Sequence, residues 1–371
     1  MREQRPRIRL PIKSVLSLGR GTVILIGFNP TNVTWVRQFL NGSKATIRRS
    51  GKSRATVTLL RFLVFAKFVT YGYGVNSKIA AFTKKSKRGV FYEDGFIRNF
   101  WAPKGIAPSP ISACFDHKGL HFDRHVVTDF DLLLNSIGEQ SEGLDLDLAR
   151  NLMRKYLSVG ATKYGAGDGG TLARKRVVES RSTQPVVVLG QVPSDSSMIY
   201  GRRNRLTFNE LIEIAALENP DSEVIFRPHP RAYPNNLERV LHPAARLSGE
   251  GNSLLEDIKE AKSVYTFSSQ AGFDSLLRGK RVSVFGTPFY AGWGLTDDRE
   301  HFVPGKRNVS LSIEELFWGA YVVYPRYLSL GFPRISSTLE SLLDGFKTLA
   351  QSVSRVEPTK MEGCLDCART D

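Results

Sequence analysis

The sequence predicts an α/β protein built from two Rossmann-like domains with a cleft between them. Three observations carry this. Apolar strand-like runs alternate with amphipathic helical runs, an order that forces mostly parallel sheets with helices on both faces. The chain has 371 residues, too many for one compact α/β sheet and suited to two. The stretch 164–182 is Gly-rich, then basic, then polar, and it breaks the alternation. A domain boundary is therefore expected near residue 180. The expected units are a basic arm (1–20), an N-terminal Rossmann-like domain (21–180), a C-terminal Rossmann-like domain (181–353) and a polar tail (354–371).

The elements follow in order. TVILIGFN (22–29) reads as a buried parallel strand, apolar throughout. Asn29-Pro30 then opens a helix over 31–41, followed by a polar, basic loop over 43–54. LLRFLVFAKFV (59–69) reads as a core helix or strand; Arg61 and Lys67 also permit an interfacial anchor. GVFYEDGF (89–96) is a strand ending in two acids and a glycine, and three prolines make 100–110 a loop. ACFDHKGLHFD (113–123) has the look of a hairpin turning at Lys118-Gly119. Residues 129–140 and 144–164 carry helical spacing.

In the second half, strands are expected at 185–191, 222–230, 263–269 and 281–286. Helices are expected at 208–220, 252–262, 272–280, 312–328 and 337–353. Asn252 or Ser253 would cap the second of these helices, with Glu256 closing the box.

Composition narrows the classes of function. A hydrophobic share of 41% provides a real core, and the longest apolar runs fall short of a membrane span. Three cysteines form no disulfide framework, so a reducing, cytoplasmic setting is expected. Cys364 and Cys367 have CxxC spacing but lie in the polar tail without a second pair. The net charge of +16 is unevenly placed: residues 1–110 hold 21 Lys and Arg against three acids, and the remainder holds 31 against 33. Such a basic face attracts phosphates, whether lipid headgroups or nucleic acid. No nucleic-acid-binding motif accompanies it, which favours the inner face of the cytoplasmic membrane or an anionic glycolipid.

Four constellations could carry chemistry. GQVPSDSS (190–197) follows a strand and precedes a helix. Gln191 and Ser197 are candidate donor-binding groups there, and Asp195 is a candidate nucleophile or base that could equally be a helix N-cap. Arg227, His229 and Arg231 cluster at a Pro-stiffened strand end suited to a phosphate or carboxylate. Ser268, Ser269 and Gly272 form a strand-to-helix turn whose N–H groups can meet a phosphate, and Asp274 could reach a ribose hydroxyl. Glu93 and Asp94 end a strand, with Arg98 as the partner of one acid or a ligand for an acidic substrate. His117, His121 and His125 have a tempting i, i+4, i+8 spacing, but Gly119 interrupts any helix that would align them as metal ligands. No GxSxG elbow supports a hydrolase triad.

Together EDGFIR, GQVPSDSS, the HP of FRPHPR and SSQAGFDSLLRGKRVSVFGTPFYAGWGLTDD resemble the bacterial capsule polysaccharide biosynthesis family. Within it they are similar to the retaining β-Kdo glycosyltransferases that build the Kdo linker of capsules. The resemblance spans about residues 89–328. It implies a GT-B-like fold, CMP-Kdo as donor and a Kdo-primed (lyso)phosphatidylglycerol acceptor; no motif calls for a metal or other cofactor. It implies Asp195 as nucleophile or its close partner, with Glu93 and Asp94 as further catalytic candidates. It also implies His229 and the Ser268–Ser269 turn as ligands of the CMP phosphate and ribose. Asp274 stands where the family commonly has Glu, and family members often carry two catalytic modules where this chain carries one. Capsule biosynthesis or export proteins are possible partners. The competing readings are a non-catalytic capsule assembly or export factor, and a transferase using another nucleotide sugar.

Overall fold

The computed structural model describes residues 21–40, 45–50, 67–73, 77–98, 110–140, 144–162, 184–229, 242–248, 253–330 and 336–354. The basic arm, the boundary near residue 180, Arg231 and the Cys364–Cys367 pair lie outside these residues.

Two sheets form the frame. The first uses β1 (Gly21–Ile26), β2 (Ala45–Ser50), β3 (Lys67–Tyr71), β4 (Gly89–Asp94) and β5 (Ser112–Asp116). The second is wholly parallel and uses β6 (Val186–Leu189), β7 (Val224–Arg227), β8 (Ala245–Leu247), β9 (Ser263–Thr266), β10 (Arg281–Val284) and β11 (Asp297–Asp298), in the order β11-β10-β9-β6-β7-β8. The central runs are apolar because both sheet faces are covered: all four residues of β6 are buried. Several helices start at capping boxes whose hydroxyl and carboxylate satisfy otherwise orphaned N–H groups. Thr128 with Asp131 opens Asp129–Glu139, and Ser253 with Glu256 opens Leu254–Glu260, the cap expected from the sequence.

The order of the first sheet brings a correction. It runs β13-β12-β5-β4-β3-β1-β2, where β12 is Arg326–Leu328 and β13 is Ser336–Ser337. The end of the chain, assigned from sequence to the second domain, thus returns to the first sheet and pairs antiparallel with β5. Helix Leu339–Ser354 follows and buries Leu342, Leu343 and Phe346 in a core shared by both halves. The helix expected over 312–328 accordingly stops early: Ile313–Phe317 is α-helical, Trp318–Val323 widens into a π-helical turn, and β12 begins three residues later.

Two further expectations change. Residues 45–50, read as loop, form a strand parallel to β1, with Gly21 opposite Ala45 and Ile26 opposite Ser50. Residues 113–123 form no hairpin. Asp116 turns the chain by accepting from the N–H groups of Lys118 and Gly119, and β5 is already flanked by β4 and β12, leaving a return strand nowhere to pair.

A crossover direction reverses once in each sheet beside its first strand: between β1 and β3, and between β6 and β9. Open α/β sheets bind ligands at such reversals, just beyond the carboxyl ends of the strands.

Candidate functional site

Both reversal points open onto one cavity of about 470 Å³. Gly27, Asn29, Tyr71 and Gly72 reach it from the first sheet, and Gln191, Ser268 and Ser269 from the second.

The second-sheet wall is tied across its reversal point by one side chain. Gln191, beyond β6, accepts from the Ser268 N–H (2.8 Å) through Oε1 and donates to the Ser268 hydroxyl (3.1 Å) through Nε2. Ser268 in turn donates to the Ser197 hydroxyl at 3.2 Å. Ser269 caps helix Gln270–Leu276, so that helix points its N-terminus at the cavity. These residues sit together because each follows a buried parallel strand at the same sheet edge.

Asp195 occupies the N-cap position considered for it and also lines the cavity. It caps the short helix Ser196–Tyr200, accepting from the Ser197 N–H (2.9 Å) and hydroxyl (2.8 Å) through Oδ1, and it stands exposed in the cavity wall. Opposite, Glu93 and Asp94 both line the cavity although they alternate along β4, because the strand ends there. Asp94 is engaged: Arg98 donates to it at 2.5 Å and the Tyr92 hydroxyl at 3.0 Å. Arg98 stands behind the wall as its partner, so its other suggested use, holding an acidic substrate, has little support in this arrangement.

Arg227 lines the cavity with its charge balanced. It bonds Asp257 at 2.6 Å, and Ser248 donates to the same carboxylate at 2.6 Å. His229 follows on the Pro228 turn and also lines the cavity. Gly272 lines none of it. A Cβ there would stand 2.1 Å from the Tyr290 hydroxyl, whose other contact is a bond to the Ser269 carbonyl at 2.5 Å. Its glycine thus lets Tyr290 buttress the serine turn from behind.

Asp274 borders the cavity floor but is 1% exposed, takes a hydrogen bond from Tyr156 (2.9 Å) and lies 4.0 Å from Arg278. Burial raises its carboxyl from the usual 3.8 to about 6, against the opposing pull of Arg278 and the Tyr156 hydroxyl. This environment suits a floor residue better than a ribose ligand.

Several residues were missed from sequence. Gln270 lines the cavity and reaches into the first half, donating to the Phe96 carbonyl and the Tyr321 hydroxyl. His121, weighed from sequence only within the His117–His125 spacing, lines it too, 8% exposed and packed edge-on by Phe96 and Phe122; among the described residues no group of three metal-capable side chains occurs. Lys306 and Arg307 are fully buried on Asp131, at 2.5 and 3.2 Å. Nothing in their sequence surroundings marks them as interior. Burial lowers the Lys306 ammonium, opposed chiefly by Asp131.

The string PFYAGWGLTDD supplies architecture more than ligands. Gly292 and Gly294 take φ of +80° and +81°, the Trp293 ring donates to the Phe289 carbonyl, and Phe289 packs 4.4 Å from Phe96 in the other half. Only its start, Pro288 and Phe289, reaches the cavity.

Residues 149–327 match the family described as capsule polysaccharide biosynthesis protein. The lipopolysaccharide-processing protein LpsZ of Rhizobium meliloti is 37% identical over 246 residues, 63% of this chain and 53% of that one. The capsule polysaccharide modification protein LipA of Neisseria meningitidis serogroup A is 30% identical over 242 residues, 64% of this chain and 33% of that one. The chain thus spans about half of the first relative and a third of the second. Among solved structures, the β-Kdo 2,4 transferase of Thermosulfurimonas dismutans KpsC superposes with a TM-score of 0.69 at 24% identity, covering 87% of this chain and 97% of that one. The β-Kdo 2,7 transferase of the same protein gives 0.66 at 24%, covering 89% and 99%. These likenesses show the GT-B-like α/β fold expected from the sequence.

Proposed function

From a chain whose residues 149–327 carry the capsule polysaccharide biosynthesis match, we propose a glycosyltransferase that moves Kdo from CMP-Kdo, with retention, to a Kdo-primed anionic glycolipid. The observation that carries the reading is the single cavity shared by the two reversal points, with Asp195 on one wall and Glu93 on the other. Two facing walls suit a reaction that joins two substrates. The chemistry is taken from two solved structures of similar fold, the β-Kdo 2,7 and 2,4 transferases of Thermosulfurimonas dismutans KpsC.

In this proposal the CMP phosphate lies against the Ser268–Ser269 turn, with His229 beside it, so negative charge on the departing CMP meets N–H and hydroxyl donors. The Asp195 carboxylate attacks the anomeric carbon of Kdo. The bond from that carbon to the phosphate oxygen breaks, and CMP leaves with the electron pair. An acceptor hydroxyl then attacks the same carbon, Asp195 departs as carboxylate, and Glu93 takes the hydroxyl proton. Two inversions give net retention. The exposed Lys78 and Lys85 on helix Ser77–Lys85, with the exposed Lys87 just after it, would face anionic lipid at the inner membrane surface. Among the described residues no helix is long and apolar enough to cross a membrane.

Thermal unfolding with CMP, UDP and GDP tests the donor class. CMP alone is expected to stabilise, by about 2.7 kcal/mol at a hundredfold excess over its Kd. Equal stabilisation by UDP or GDP would point to another nucleotide sugar, and turnover of CMP-Kdo into a Kdo-extended glycolipid would separate an enzyme from a non-catalytic capsule factor.

A further inference from the structure

Gln270 joins the two walls of the cavity. It is the first residue of helix Gln270–Leu276, directly after the capping Ser269, and it lines the cavity itself. Its Nε2 donates to the Phe96 carbonyl at 2.7 Å and to the Tyr321 hydroxyl at 3.0 Å, which uses both amide hydrogens. Phe96 lies two residues beyond Asp94 and three beyond Glu93. The segment on its other side is already fixed: the Ser112 hydroxyl donates to the Ile97 carbonyl at 2.6 Å and accepts from the Ile97 N–H at 3.0 Å. On the near side of Phe96, Gly95 lies so close to Ser112 that a Cβ would stand 2.3 Å from its hydroxyl. The segment after β4 is therefore held by Ser112 within its own half and by Gln270 from the other.

We propose that Gln270 is a positioning residue: it sets Glu93 and Asp94 at a fixed distance from the Ser268–Ser269 turn and so aligns acceptor activation with the bound donor. The chemical requirement is specific. The side chain must donate twice, to a carbonyl and a phenol, from the end of two methylenes. Glutamate at the same place would set a carboxylate oxygen against the Phe96 carbonyl. Methionine would keep the volume and lose both bonds. Displacement of a reacting group by about an ångström is enough to cost on the order of a hundredfold in rate. The inference rests on the transferase reading above.

The test uses the full chain with Gln270→Met and Gln270→Glu, CMP-Kdo as donor and a Kdo-terminated glycolipid as acceptor. Both variants are expected to lower kcat at least tenfold, to keep the KM for CMP-Kdo within about threefold and to bind CMP as the parent does in titration calorimetry. Hydrogen exchange of the amides of Phe96 and Ile97 is expected to accelerate in both variants, with the strands of the second sheet unchanged. Unchanged kcat in Gln270→Met overturns the proposal, and so does loss of CMP binding in step with kcat, which would mark a donor ligand. If the parent transfers no Kdo, the transferase reading falls, and the exchange comparison alone decides whether Gln270 holds the segment: unaltered exchange at Phe96 and Ile97 rejects it.

Discussion

Asp274 is buried beneath the cavity, where the Tyr156 hydroxyl donates to its carboxylate. Its carboxyl is raised by burial from 3.8 to about 6, so between those values the folded state binds more protons than the unfolded chain. Stability contributed by this site therefore falls as pH rises through that window. Between pH 4 and 8 the loss is roughly 2 kcal/mol. Asp274→Asn removes that dependence. Urea unfolding of parent and variant at pH 4 and pH 8 is expected to show the variant gaining on the parent by about that amount at the higher pH. A constant difference would show that the carboxyl titrates normally.

At the scale of elements, the serine turn depends on what stands behind it. Gly272 admits the Tyr290 hydroxyl, which holds the Ser269 carbonyl. Gly272→Ala forces Tyr290 away and is expected to cost roughly 1–3 kcal/mol of stability and to weaken CMP binding, measured by chemical denaturation and calorimetry. Full CMP affinity in that variant would separate the turn from nucleotide binding. The buried strands were the most legible elements. VVVL, SVYT and RVSV are short, apolar and β-branched, and each precedes a Gly- or Ser-bearing loop. The strands at 326–328 and 336–337 were not legible. They are two or three residues long; the first is placed by pairing with β5, more than two hundred positions earlier, and the second pairs in turn with the first. The strand at 45–50 was obscured by its charges. Thr46 and Ile47 favour extended backbone, but consecutive arginines read as loop, although charge is common on edge strands.

At the scale of the molecule, a buried charge cluster joins the halves. Asp131, on a helix of the first half, holds Lys306 and Arg307 from the loop after β11, all three without solvent exposure. Lys306 also donates to the Val126 carbonyl at 2.7 Å. Removing the shared anion leaves two buried cations, whereas removing Lys306 leaves Arg307 on Asp131. Asp131→Asn is therefore expected to cost roughly 3–5 kcal/mol and Lys306→Met clearly less, by denaturant unfolding. Equal costs would mean that the cluster is not organised around Asp131. No sequence rule marks such cations, because isolated Lys and Arg ordinarily belong to the surface. The cleft itself was legible for the opposite reason: its residues follow strands, and strand ends at a crossover reversal converge whatever the distance in sequence.

The central claim is that donor and acceptor chemistry meet in this one cavity through Asp195. Its most direct test is intact-mass measurement of the protein after incubation with CMP-Kdo in the absence of acceptor, followed by peptide mapping. The account predicts an added Kdo without CMP on the peptide containing Asp195, released by acceptor and absent in Asp195→Ala. An adduct on Glu93 or Asp94, or one that persists in Asp195→Ala, would contradict it.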